Sequence, residues 1–243
     1  MTERGRGALS RDRSRLQIGK SSISFDGTGF VIAFDETFLP WPGQRILPRR
    51  MRGQIELTPA FIGDKTYALD PEAQHIWQPV APSGRVSLSC DGLVNRGWVG
   101  QGYHDMNFGS RPLEADFVGW DWARGETADG RPILLYDSIL SRGANSRFGL
   151  TYSTSGEALE FDPPERQVLK RGFWGVGGGI ACDDNAKPAL RTPYEDTPFY
   201  RRSLVETEIA GDRVLMMHET LDCRRLAMPL VRLMLPFRMP RRG

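Results

Sequence analysis

Apolar and polar side chains alternate along most of this chain in short stretches, and glycine, proline and aspartate punctuate them. A period of two is what a strand with one buried face requires, and turn residues between such runs mark hairpins. From Ile23, ISFDGTGFVIAF puts Phe30, Ile32 and Phe34 on one face and predicts a hairpin turning at Asp26-Gly27. Residues 39–49, LPWPGQRILPR, hold three prolines and are expected to be loop, because proline removes ladder donors. Gln54 to Leu57 reads as a short strand stopped by Pro59, and Arg85 to Cys90 alternates with Val86, Leu88 and Cys90 on one side. Phe117–Ala123 and Pro132–Ile139 predict a hairpin around Asp129-Gly130, and Phe148–Ser153 a further strand. Leu204–Ile209 is expected to pair with Val214–His218 across Gly211-Asp212. No stretch before residue 221 carries a convincing helical period. Short strands with frequent turn signals indicate an all-β barrel or sandwich.

Composition narrows the function classes more than the fold. At 243 residues the chain can form one large β domain or two smaller ones, and its 40% hydrophobic and 26% charged content is that of a globular protein. No run approaches the length of a membrane-spanning helix. Residues 1–20 are Arg-rich and polar, which is not the pattern of a secretory signal. Cys90, Cys182 and Cys223 lie far apart without C-x-x-C spacing, which argues against zinc and a disulfide framework and suits a reducing compartment. Gly175, Gly177, Gly178 and Gly179 do not make a dinucleotide fingerprint; they suit a tight crossing, and no cofactor or metal is expected. Basic residues without interleaved base-stacking motifs give no nucleic-acid signature. Asp116 and Asp121 stand at odd spacing, on opposite faces of a strand, which argues against a glycosidase pair.

The densest chemistry lies between Gly100 and Trp122, GQGYHDMNFGSRPLEADFVGWDW. Tyr103, Asp105 and Asn107 alternate with His104, Met106 and Phe108, so a strand would carry a phenol, a carboxyl and an amide in a row on one face. Two readings stay open from the pattern: a polar row facing water, or one lining a ligand-holding interior. Upstream, His75 and Trp77 form H-x-W and would also share a face if extended. Taken alone, His75 reads as a loop histidine, Trp77 as core, and His218 as a strand surface residue.

The block Gly100 to Gly109, followed by Pro112-Leu113-Glu114-Ala115-Asp116-Phe117-Val118-Gly119-Trp120-Asp121-Trp122, resembles the signature of the carotenoid 1,2-hydratases, also called hydroxyneurosporene synthases. MTERGRGALSRD, TPFYRRSLVETE at 197–208 and MLPFRMPRR at 234–242 resemble blocks of the same family, so the likeness covers nearly the whole chain in order. The resemblance implies two packed lipocalin-like β-barrel or sandwich halves, over residues 1–115 and 116–243. In that family the MTERGRGAL block follows an N-terminal region with strands of its own, so the first half is expected to be incomplete. It further implies a cofactor-independent lyase of a photosynthetic bacterium that adds water to the C1=C2 end of acyclic carotenoids such as neurosporene and lycopene.

The family's proposed site combines an H-x-W with a Y-x-D and carries over to His75, Trp77, Tyr103 and Asp105. Hydration of such a bond starts with a proton on the less substituted carbon and leaves a tertiary cation at C1. A carboxyl in an apolar interior tends to stay protonated because desolvation disfavours its charged form, which suits Asp105 as general acid. Rings of Trp77 and Tyr103 could steady the cation, each by about 2 kcal/mol when desolvated. Neutral His75 would take a proton from the attacking water; His104, facing the opposite side, ranks second. The alternative reading is a non-catalytic lipocalin-like binder of an apolar ligand.

The last twenty residues hold six arginines and no acid among Leu226, Met228, Leu230, Val231 and Leu233. Pro229 and Pro236 predict a short kinked element or hook that touches an anionic membrane, with the protein cytoplasmic and peripherally bound. An apolar final strand is the competing reading.

Overall fold

The computed structural model describes residues 3–38, 49–91, 97–238 and 241–242. Hairpins form where the turn chemistry places them. At Asp26 the carboxylate accepts from the backbone N–H of Thr28 and Gly29, both at 2.8 Å, while Gly27 takes φ +96°, closed to most side chains. Strands Ser21–Phe25 and Phe30–Phe38 pair across it. Tyr200–Ile209 and Asp212–Asp222 pair across Ala210-Gly211, both with positive φ, the twist-matched turn for a two-residue hairpin.

The result is all-β and antiparallel in its two large sheets. One sheet has the order 9–11, 15–18, 21–25, 30–38, 49–59, 75–90 and 67–68, with Trp98–Gly109 also paired to His75–Cys90. The other has the order 158–161, 146–152, 132–140, 117–126, 212–222, 200–209 and 189–196. Two strands are longer than their patterns suggest. Gln54–Leu57 is the middle of Arg49–Pro59, and His75-Ile76-Trp77 and Arg85–Cys90 belong to one strand, His75–Cys90. Pro79 and Pro82 fit because pairing changes partner around them: residues 76–77 pair with Ala68 and Tyr67, residues 84–90 with 53–59. The expected proline loop lies outside the described residues, apart from Arg49.

The chain divides into two compact units, residues 1–62, 81–104 and 233–243 in one and 63–80 and 105–232 in the other. The second unit has a buried apolar cluster that includes Ala123, Ile133, Leu135, Ile180, Val205, Val214 and Met216. Apart from Ile180, which comes from the short strand Gly179–Ala181, these side chains alternate along four strands with residues of the opposite face, as the period of two requires. The only α-helix before residue 221 among the described residues is the single turn Leu113–Asp116. Among the described residues the end of the chain is not an apolar strand: Cys223–Leu226 and Pro229–Arg238 are helices, followed by the two-residue strand Arg241–Arg242. Pro229 opens the second, where its missing N–H has no intrahelical partner to lose.

Candidate active site

The site is assembled within the second unit from the start of His75–Cys90, the end of Trp98–Gly109 and the turn Leu113–Asp116. Asp70 sets its first edge. Its carboxylate accepts from the backbone N–H of Glu72 at 3.0 Å, Gln74 at 3.2 Å and His75 at 2.8 Å, which fixes where the strand begins. His75 and Trp77 then point the same way, with the histidine 4% exposed and the indole fully buried.

Each meets a carboxylate. Trp77 Nε1–H donates to Asp105 Oδ2 at 2.9 Å, joining H-x-W to Y-x-D across 28 residues of sequence. His75 Nε2 lies 2.8 Å from Asp116 Oδ2, and the Arg111 guanidinium donates to Asp116 Oδ1 at 2.8 Å. Arg111 also reaches Glu72 at 3.2 Å. Gly109 closes over the imidazole: a Cβ there would fall 2.9 Å from His75 Nδ1 and 2.6 Å from the Gln74 carbonyl oxygen.

Aromatic rings surround the Trp77–Asp105 pair. The indole packs between Tyr67 at 5.6 Å and Tyr136 at 5.1 Å between centroids, and Trp120 lies 5.9 Å from Tyr136. Burial first, then the negative charge of Asp105, push the Tyr136 hydroxyl far above the usual phenol range, so it stays neutral. Tyr103 is half-buried two residues before Asp105 on the same strand. His104, which alternates with them, packs its ring against Phe30 at 4.8 Å between centroids.

Three participants were not legible in the pattern. In sequence Asp116 stands out only beside Asp121, and nothing in the spacing points it at His75. Arg111 and Tyr136 carried no motif. The signal available for Asp116 and Arg111 was their place just after the Y-x-D strand.

Asp121 belongs to a different cluster. Its carboxylate is 3% exposed and accepts from Thr220 Oγ1 at 2.6 Å, Arg166 Nε at 2.9 Å and the Gly179 N–H at 3.2 Å. His218 is buried rather than on the surface: its Nε2 donates to the Gly179 carbonyl at 2.9 Å and lies 3.5 Å from Asp121. Burial alone would raise the Asp121 pKa, but His218, Arg166 and Thr220 outweigh it and hold the carboxyl below its ordinary value. At Gly178 any Cβ would collide with Thr220 and Asp121, which is the tight crossing expected of the glycine run. Nearby Asp137 is raised, chiefly by burial, despite the Arg147 guanidinium 3.0 Å away.

The three cysteines are free and buried. Among the described residues no three His, Cys, Asp or Glu side chains are grouped to hold a metal ion. No helix among them is long and apolar enough to cross a membrane.

The antiparallel all-β architecture is of the lipocalin-like class. It is similar to the crystal structure of a protein described as an AttH from Nitrosomonas europaea, with a TM-score of 0.60 at 12% identity over 89% of this chain and 72% of that one. The family model for Carotenoid hydratase CrtC matches residues 1–243, and the chain belongs to that family. It is 42% identical to the acyclic carotenoid 1,2-hydratase of Thiocapsa roseopersicina, spanning all of this chain and 58% of that protein. With the protein of the same name from Cereibacter sphaeroides it shares 36% identity, over all of this chain and 84% of that one.

Proposed function

We propose that this chain hydrates the terminal C1=C2 double bond of an acyclic carotenoid, of the neurosporene or lycopene type, as a hydro-lyase acting without a cofactor. The observation that carries the reading is the Trp77–Asp105 hydrogen bond in a chain of the carotenoid hydratase family. Asp105 delivers its proton to C2 and leaves the tertiary cation at C1. Water attacks C1 while His75 accepts one of its protons, and the cycle closes when that proton returns to the Asp105 carboxylate.

Trp77 acts here less as a cation-facing ring than as the group that aims Asp105, since the indole is sealed on all sides. Tyr103, two residues from Asp105 and half-buried, is the ring offered to the cation. The test supplies lycopene in vesicles and follows product by mass: a gain of one water supports the reading, and binding without that gain identifies a carrier of apolar ligands instead.

A substrate dissolved in lipid calls for contact with the bilayer. Phe173 is 90% exposed and Trp174 44% exposed at the tip of a turn. Arg225 Nη1 donates to the Trp174 carbonyl at 2.8 Å, tying that tip to the helical, arginine-rich end, where Met228 and Leu230 are also exposed. Aromatic and aliphatic side chains of this kind suit the interface of an anionic membrane, and each arginine near its surface adds about 1 kcal/mol. Sedimentation with anionic but not neutral vesicles, reversed by salt, is the expected outcome.

A further inference from the structure

We infer that Asp116 is a positioning residue for His75, selecting the tautomer in which Nδ1 is the base, and that Arg111 locks Asp116 for that task. The inference rests on the hydration reading above for its chemistry, but its geometry stands apart from it.

A carboxylate can only accept, so the imidazole nitrogen 2.8 Å from Asp116 Oδ2 carries the hydrogen. With Nε2–H fixed, the lone pair of the neutral ring belongs to Nδ1. Gly109 lies on the Nδ1 side, where any side chain would crowd the atom. Arg111 holds the other carboxylate oxygen at 2.8 Å, so Asp116 cannot rotate away without breaking a charge-assisted bond. When the water oxygen bonds to C1, one O–H bond breaks, its electron pair stays on oxygen and the proton goes to Nδ1. The imidazolium so formed faces a carboxylate already in place, which lowers the cost of forming it.

The charged and titratable groups around His75 are few. Asp116 faces its ring from the helical turn and Asp70 takes its backbone N–H. Arg111 acts through Asp116, Glu72 meets Arg111, and Asp105 lies beyond Trp77. Phe117 packs edge-on against the ring at 4.7 Å between centroids. Asp116 is therefore the one carboxylate in direct contact with the imidazole ring among the described residues.

The experiment compares the wild-type chain with Asp116→Asn, Asp116→Glu and His75→Ala, using lycopene in vesicles and ¹⁵N NMR of the imidazole nitrogens. In the wild type, neutral His75 is expected to show the Nε2–H tautomer. Asp116→Asn is expected to lower kcat about 10²-fold with KM nearly unchanged, and to move the acid limb of the rate profile to lower pH as the imidazolium loses its partner. Asp116→Glu should recover part of the rate. An Nδ1–H tautomer in the wild type overturns the inference whether or not the chain hydrates lycopene. So does an Asp116→Asn protein with wild-type kcat and acid limb while His75→Ala is inactive. A wild type without product but with the Nε2–H tautomer lost in Asp116→Asn overturns the hydration reading and leaves the positioning role standing.

Discussion

Two histidine–aspartate pairs lie in the same unit of this protein, and they differ in what surrounds them. At His218 and Asp121 both side chains are 3% exposed, and the carboxylate also receives Arg166, Thr220 and a backbone N–H. Both carboxylate oxygens have donors, with three N–H groups on Oδ2 and the Thr220 hydroxyl on Oδ1, so the group holds the Gly178–Gly179 crossing against the sheet. At His75 and Asp116 the carboxylate is 17% exposed, its second partner Arg111 reaches water, and a glycine covers the imidazole. The same two residue types thus make a sealed pin in one place and, at the candidate site, a pair with fewer donors and a partly exposed carboxylate. What separates them is hydrogen-bond saturation and access, not identity or spacing.

The sharpest way to break the comparison is at Asp105, beside the open pair. Asp105→Asn keeps size and polarity but has no acidic proton, so turnover should fall at least 10²–10⁴-fold while the thermal midpoint barely moves. Near-normal turnover of lycopene by this variant would remove Asp105 from the chemistry.

The sealed pair should fail in the opposite way. Asp121→Ala strands the Arg166 guanidinium and His218 in a buried site, and a loss of about 3–5 kcal/mol in stability is expected from denaturant unfolding. A midpoint within error of the wild type would show that the cluster is not a pin. The pH dependence follows in sign. A carboxyl held below its unfolded-state pKa adds stability above that value and loses it as pH falls through the folded-state value. Asp121 should therefore steepen acid unfolding, and Asp121→Ala should flatten it. Asp137, raised by burial, acts in the reverse sense, favouring the fold at low pH and less so as pH rises through its folded-state value.

Trp77→Phe sharpens the contrast at smaller scale. It leaves a ring in the core but deletes the donor to Asp105, so about a tenfold loss of kcat and roughly 1 kcal/mol of stability are expected. If kcat is unchanged, Trp77 is core and nothing more. The smallest effect on stability belongs to Phe173→Ser, within about 0.5 kcal/mol because the ring is exposed, while its effect should appear in vesicle sedimentation. Equal sedimentation would take that turn out of the membrane contact.

The alternation of Phe30, Ile32 and Phe34, the Asp26-Gly27 and Asp129-Gly130 turns and the pairing of Leu204–Ile209 with Val214–His218 were all legible, because each is a local rule with a period of two. So was the all-β class, and the family blocks pointed to the relatives that the whole chain matches. What the sequence could not decide is where pairs separated by tens of residues meet. Asp116 reaches His75 across 41 residues and Thr220 reaches Asp121 across 99, contacts set by strand order and register. Burial is likewise a property of the assembled sheets. The pattern read His218 as surface and the end of the chain as a short kinked element or hook, with an apolar strand as the competing reading, whereas packing buried the one and formed the other as two short helices. Side-chain type and local period are written in the chain; which carboxylate is saturated and which keeps a working partner depends on neighbours that only folding brings together.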